Sequence, residues 1–419
     1  MVSLLGYQDR VFAATADTIF DGASEAVTGL LGGSWSSGMI SNPGGRWLVA
    51  VNGVDEARKY GGFTWSISEI TGVNSRDLFA LTVHQRRIFA AEKESLRVWY
   101  LGLDCIEGEA SPIPLHAQCR LGGSVVALAT LQPQGGISTG DELVIATSEG
   151  EIVVYTGTNP DKAGEWSLRG VWRIPKPVGA NCFARMGGIL TILTEKGVMP
   201  IPAVLSRPDS AKPVTSLSQS IDVITGAVSI IDSAAASFTL VDAGTVQYVR
   251  SDTGAWSRFT GFSTATCWMD SANALWFGRS DGKVCRYGGE TDDGSPIRSF
   301  AVDSFSKFGV SNRKSFKRAR PTYTLAHPYV PRIEMLTDYR EPPSSFDAAN
   351  LDARYWEWNE ITWPSTPLPW YAGEVSSRLQ PWRSIGGHGV AGALMMSIQT
   401  MTPVIWTGYD VGFEIGGQV

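Results

Sequence analysis

The chain has 419 residues, 18% of them charged, with a formal net charge of −6. A length of that order predicts two or three domains, and 43% apolar residues suffice for a sizeable core, which excludes global disorder. Apolar runs are short, such as 48–51 and 125–129, well below the roughly 20 residues that cross a bilayer. The opening MVSLLGYQDR lacks the basic, apolar and small-residue regions of a signal peptide, so the chain reads as soluble and without its own export signal. An acidic balance argues against a dedicated sequence-specific DNA binder. The five cysteines, Cys105, Cys119, Cys182, Cys267 and Cys285, are scattered without a Cys-x-x-Cys spacing. Buried free thiols are expected, with no metal and no cofactor.

A repeat governs the first three hundred residues or so. Its unit is a β-rich run, a short polar turn and a second β-rich run that often ends in an aromatic. The copies are 11–22 (VFAATADTIFDG), 47–61 (WLVAVNGVDEARKYG), 88–102 (IFAAEKESLRVWYLG), 143–157 (LVIATSEGEIVVYTG), 190–201 (LTILTEKGVMPI), 238–249 (FTLVDAGTVQYV) and 275–288 (LWFGRSDGKVCRYG). Each predicts a β-hairpin with one face in a core; Glu149-Gly150, Lys196-Gly197 and Asp281-Gly282 are the clearest turns. The copies start about 44 residues apart on average, the period of a four-stranded propeller blade. The Trp-Ser pairs at Trp65-Ser66, Trp166-Ser167 and Trp256-Ser257 mark outer or following-blade strands. The fold class is therefore all-β: a β-propeller of six or seven blades over residues 1–289, followed by a smaller β-rich platform domain over 290–419. Two stretches interrupt the repeat: a Gly-rich loop at 131–140, and 206–236, with a short helix expected around 215–223.

After the polar break at 290–296 (ETDDGSP) the hairpin pattern stops. Strands are expected at 297–305, 319–327, 332–338, 392–400 and 407–414. Between them lies a Trp/Pro-rich loop, 341–382, whose rings Tyr355, Trp356, Trp358, Trp363, Trp370 and Trp382 are expected to pack on a sheet or on a neighbouring subunit. One basic run stands out at 307–320, KFGVSNRKSFKRAR, holding Lys307, Arg313, Lys314, Lys317, Arg318 and Arg320 with no acid. It predicts contact with an acidic partner face or with nucleic-acid phosphate, or else a solvated loop or a strand edge guarded by charge.

No catalytic constellation is legible. The four histidines, His84, His116, His327 and His388, have no metal-ligand spacing, and no G-x-S-x-G elbow, P-loop or dinucleotide fingerprint occurs. The paired Asp292-Asp293 sits in a loop with too few neighbours for a calcium site. At 251–256, SDTGAW has the letters of a sialidase-type turn at the wrong spacing, and it occurs once. The chain is expected not to be an enzyme.

Several strings resemble the tail nozzle or tail-hub proteins of short-tailed, podovirus-type bacteriophages. They are V-N-G-x-D-x-x-R-x-Y at 51–60, E-K-x-S-L-x-x-W-Y-L at 92–101 and S-E-G-E-x-x-V-Y-x-G-T-x-P at 148–160. WSRFTGF at 256–262 and GYDVGFEIGG at 408–417 join them, so the resemblance spans about 40–419. It implies a structural virion protein, located in the phage tail and assembled in the host cytoplasm. Such a protein is a subunit of a homo-oligomeric ring, typically a hexamer, joined to a portal or adaptor ring, with tail fibres or spikes as further partners. The platform part lines the channel through which the genome leaves, with transient non-specific DNA contact. The competing readings are a propeller module that binds a receptor or fibre and, behind it, a propeller glycosidase.

Overall fold

Each predicted hairpin is the second and third strand of an antiparallel sheet of its own. This is seen in a computed structural model, which describes residues 2–132, 140–186, 188–206, 217, 229–230, 238–242, 246–251, 256–260, 264–270, 274–279, 281–289, 291–325, 331–341, 376–379, 381–400 and 404–416. The chain forms two compact units, Met1–Gly288 and Gly289–Val419.

The first unit is a β-propeller of seven blades, each sheet running in chain order from an inner to an outer strand. Blade 1 is Ser3–Tyr7, Arg10–Ala14, Ile19–Asp21 and Ser24–Val27; blade 2 is Ser36–Asn42, Gly45–Val51, Arg58–Tyr60 and Trp65–Ile67. Blade 3 is Leu78–His84, Arg87–Glu92, Arg97–Tyr100 and Ser111–Pro114; blade 4 is Val125–Leu131, Glu142–Thr147, Glu151–Gly157 and Trp166–Arg173. Blade 5 has Phe183–Met186, Ile189–Thr194 and Gly197–Pro200, followed by the short helix Ile201–Leu205. Blade 6 is Ser229–Ile230, Phe238–Asp242, Val246–Ser251 and Trp256–Thr260, and blade 7 has Thr264–Met269, Leu275–Arg279 and Val284–Arg286. The three Trp-Ser pairs open the outermost strands of blades 2, 4 and 6. The inner strands of blades 1 to 5 lie side by side in turn, and that of blade 7 lies beside that of blade 1, which closes the ring.

In blades 1 to 5 the second strand buries both faces, not one. Packed between neighbouring blades, such a strand has no solvent side. In blade 4, Leu143 and Ile145 pack toward blade 3 on Phe89 and Val98, while Val144 and Ala146 pack toward blade 5 on Leu190 and Ile192. Blade 2 repeats this, with Leu48 and Ala50 against blade 1 and Val49 and Val51 against blade 3. Uninterrupted apolar runs such as LVIA and LVAV are thus what this architecture requires. Each such Val, Leu or Ile removed from water contributes about 1.5–3 kcal/mol. The turns obey their own chemistry: Gly150, Gly197 and Gly282 adopt φ of 85°, 105° and 92°, which a side chain would disfavour.

The second unit is built from two sheets. One runs Thr291–Asp292, Ser295–Val302, Gly392–Thr400, Arg332–Thr337. The other is organised by the long strand Lys314–Leu325, paired along one edge with Val404–Ile415. Along its other edge lie three short pieces, Ser376–Leu379, Arg383–Ser384 and His388–Gly389. Phe316 and Ala319 meet Met335 and Leu394 across the gap, and Tyr323 meets Met396 and Ile398. The expected helix around 215–223 lies outside the described residues, except Leu217.

Candidate interaction surface

Residues of three strings singled out in the sequence, 51–60, 92–101 and 148–160, tie turns and connecting loops to the blades. Asn52 accepts from the backbone N–H groups of Val54 and Asp55, and its amide donates to the Gly32 carbonyl and to Asp55. The Asp55 carboxylate, almost fully buried, accepts from the N–H groups of Leu31 and Gly32 in the loop entering blade 2. Glu151 performs the same task for blade 4, accepting from Arg120 and Leu121 N–H. Between them, Lys93 donates to the Gly53 carbonyl and Glu92 accepts from the Trp99 indole. A carboxylate accepting from backbone N–H groups is a strong contact, about 1.5–3 kcal/mol.

Toward the propeller axis the chemistry is sparse. Across the seven innermost strands the only charged residue is Arg185, and its guanidinium donates to the Thr130 carbonyl at 3.3 Å. Among the described residues no three His, Cys, Asp or Glu side chains gather as a metal site. Cys119 and Cys182 are buried, and desolvation pushes their thiols up to about 11 and about 12. The 252–255 part of the SDTGAW turn and His327 lie outside the described residues.

The basic run supplies the first face with interaction chemistry. Lys307 and Arg313 are exposed beside the strand Lys314–Leu325. A β-bulge between Phe316 and Arg318 turns both Lys317 and Arg318 outward; Ala319 then points to the core and Arg320 outward again. The Arg318 and Arg320 guanidinium carbons lie 4.8 and 4.9 Å from the centre of the Trp382 ring, within cation–π range. Gly412 leaves room for the Arg318 stem, since a Cβ there would fall 2.9 Å from Arg318 Cγ. The neighbouring strand answers with acids: Lys317 pairs with Glu414 at 3.2 Å and Arg320 with Asp410 at 2.6 Å. This face is therefore a patterned lattice of both signs around one half-exposed indole.

Lys314 does not belong to that face. It is 1% exposed, and its ammonium donates to the carbonyls of Val310, Asn312 and Val390. Burial, with Lys307 nearby, lowers its pKa from the ordinary lysine value. An ammonium with three donors on three carbonyls is a structural tie. The sequence shows six cations within one run of fourteen residues without showing that one faces inward. Of the predicted packing aromatics, Trp382 takes the place just described; Tyr355, Trp356, Trp358, Trp363 and Trp370 lie outside the described residues.

A second surface escaped the sequence. Ser295–Val302 lies at the margin of its sheet, bounded outside by the two-residue strand Thr291–Asp292, and is exposed on both faces. Ile297 is 38% and Phe300 59% exposed. An extended strand carrying apolar side chains at a sheet margin is the geometry of β-strand association.

A finer repeat lies within the hairpins. Residues 7–14, YQDRVFAA, and 84–91, HQRRIFAA, share Gln, Arg, Phe and two Ala at identical spacing. They occupy the same place in blades 1 and 3, from the end of the inner strand into the second.

No protein-family model matches the chain, and no curated protein matches it. Solved structures similar to it include β-propellers. The Cps50 (Swd1) β-propeller domain of Myceliophteria thermophila is 11% identical, with TM-score 0.46, over 67% of this chain and 94% of that one. BBS1N, from its complex with ARL6DN, is 14% identical with TM-score 0.44, over 66% and 86%. The WD40 β-propeller domain of Doa1 is 9% identical with TM-score 0.41, over 68% and 90%.

Proposed function

We propose that this chain is a structural subunit of a ring, the tail nozzle or hub of a short-tailed bacteriophage. In that role it extends the portal–adaptor channel, retains packaged DNA and conducts it during ejection. The observation that carries the reading is where the family-like strings sit. Asn52, Asp55 and Glu151 hold the loops that lead into blades 2 and 4, Lys93 ties blade 3 to blade 2, and Glu92 braces Trp99 within blade 3. The resemblance therefore falls on residues that determine the architecture rather than on exchangeable surface.

Two further features favour a mechanical role over a chemical one. The inner strands carry almost no ionisable side chains. The second unit offers an edge strand exposed on both faces, suited to joining subunits. The charge pattern also suits a conduit. Lys317 and Arg320 are met by Glu414 and Asp410, which lessens the pull of this face on phosphate and would ease the passage of DNA.

The test is the mass of the purified chain in solution by light scattering, over a range of concentrations and with an adaptor ring added. A discrete oligomer near a hexamer, alone or on the adaptor, supports the reading. A strict monomer that ignores the adaptor refutes it.

A further inference from the structure

The duplicated string places two different side chains in one structural position. In blades 1 and 2, Tyr7 ends the inner strand, packs edge-on to Tyr60 at 5.0 Å and donates its hydroxyl to the Arg46 carbonyl at 3.1 Å. Phe12 and Trp65 complete the cluster, their centroids 5.2 Å apart. In blades 3 and 4 the same positions hold His84, Phe89, Tyr155 and Trp166. The His84 ring packs edge-on to Phe89 at 5.7 Å and to Trp166 at 6.1 Å, and Trp166 stacks on Phe89 and Tyr155. Gly62 lies beside the Tyr7 hydroxyl; Gly157, its counterpart, lies beside His84. His84 is 1% exposed. Its Nδ1 lies 3.3 Å from Thr130 Oγ1, and Nε2 has no hydrogen-bond partner within 3.5 Å, although the Gly157 backbone is near enough to favour a charged ring.

We propose that His84 is an acid-operated latch: when it is protonated the seam between blades 3 and 4 loosens, while the matching seam between blades 1 and 2, with Tyr7 in its place, stays closed. This stands independently of the ring-subunit reading. An imidazolium sealed against Phe89 and Trp166 loses its hydration and gains little in return.

Most of the charges around it pair with one another, while Asp141 acts on the ring itself. On its own hairpin, Arg86 pairs with Asp104, and Arg87 holds the Leu101 carbonyl, Asn159 and Asp161. The inner strand Val125–Leu131 contributes Thr130 and no charge. From blade 4, Glu142 is bound by Arg169 and Glu165 by Lys162, while Glu151 holds the loop at 120–121. Tyr100 donates to Asp161. Asp141 and the Gly157 backbone favour the charged form, yet burial outweighs them and the pKa lies below the ordinary 6.5. Above 6.5 neither closed nor open seam is charged, and as pH falls below 6.5 the open seam takes up the proton first. Acid therefore favours opening. His116 and His388 are exposed, so His84 is the one buried histidine among the described residues.

The test is hydrogen exchange on the full chain at pH 7.5 and 5.5, corrected for intrinsic rates, in the wild type and in His84→Tyr. Wild-type amides of Leu78–His84, Val125–Leu131 and Trp166–Arg173 are expected to lose protection at pH 5.5 by up to about tenfold, the limit set by an open-state value of 6.5. Those of Ser3–Tyr7 and Trp65–Ile67 keep theirs, and His84→Tyr keeps it in both seams. Unchanged wild-type protection at pH 5.5, or an equal loss in His84→Tyr, overturns the proposal. Should the variant not fold, the wild-type His84 imidazole titration by NMR decides: a value well below 6.5 supports the latch, and one at or above 6.5 overturns it.

Discussion

Ring closure rests on a glycine. Gly6 stands on the inner strand of blade 1, and a Cβ there would lie 2.0 Å from Trp268 Cζ2 and 2.1 Å from Cε2. Trp268 belongs to the inner strand of blade 7, opposite Trp276. Non-bonded carbons settle at about 3.5–4.0 Å, so a methyl group at position 6 must drive the indole back by roughly 1.5 Å or part the two blades. Such overpacking costs about 1–3 kcal/mol. Gly6→Ala is expected to lose about 2 kcal/mol in urea unfolding of the propeller. Trp268→Ala removes the obstacle, so the double variant is expected to lose less than the sum of the singles, by at least about 1 kcal/mol. Additivity within about 0.5 kcal/mol would show that Gly6 and Trp268 do not meet, and the closure of blade 1 on blade 7 would fall with it.

Other side chains make equally specific demands. Asp55→Ala strands two N–H groups at the entrance to blade 2 and is expected to cost about 2 kcal/mol in urea unfolding; Asp55→Asn, which keeps an acceptor oxygen, costs less. Lys314→Met abandons three carbonyls and is expected to cost about 2 kcal/mol, whereas Lys317→Met, losing an exposed pair, stays within about 0.5 kcal/mol. In the native protein at pH 8 a disulfide reagent is expected to modify exposed Cys105 promptly and to leave Cys119 and Cys182 untouched, because burial keeps both thiols protonated and covered; peptide mapping reads the difference.

The propeller was legible because its signal is local. A turn such as Glu149-Gly150 between two β-rich runs needs only neighbours in sequence, and seven copies at a blade's period define the ring. The strands of the second unit were legible for the same reason, from runs such as 332–338 and 392–400. What escaped depends on distant residues. That Lys314 is buried while Lys317 is not follows from a bulge and from the Val390 carbonyl, brought in from 76 residues along the chain. That middle strands bury both faces follows from blades stacking on each side, which alternation within one hairpin does not express. The pairing of Arg320 with Asp410, 90 residues apart, neutralises part of a run that looks uniformly basic in sequence. The match of YQDRVFAA with HQRRIFAA was present in the letters. It gained meaning only once both copies sat at the same place in their blades, with Tyr7 and His84 as the variable position.

Electron microscopy of the purified protein, alone and mixed with an adaptor ring, decides whether this chain forms a ring around a conduit. A ring-forming subunit gives closed rings of uniform copy number with an open axial channel. Single propellers scattered without rings under both conditions rule that role out.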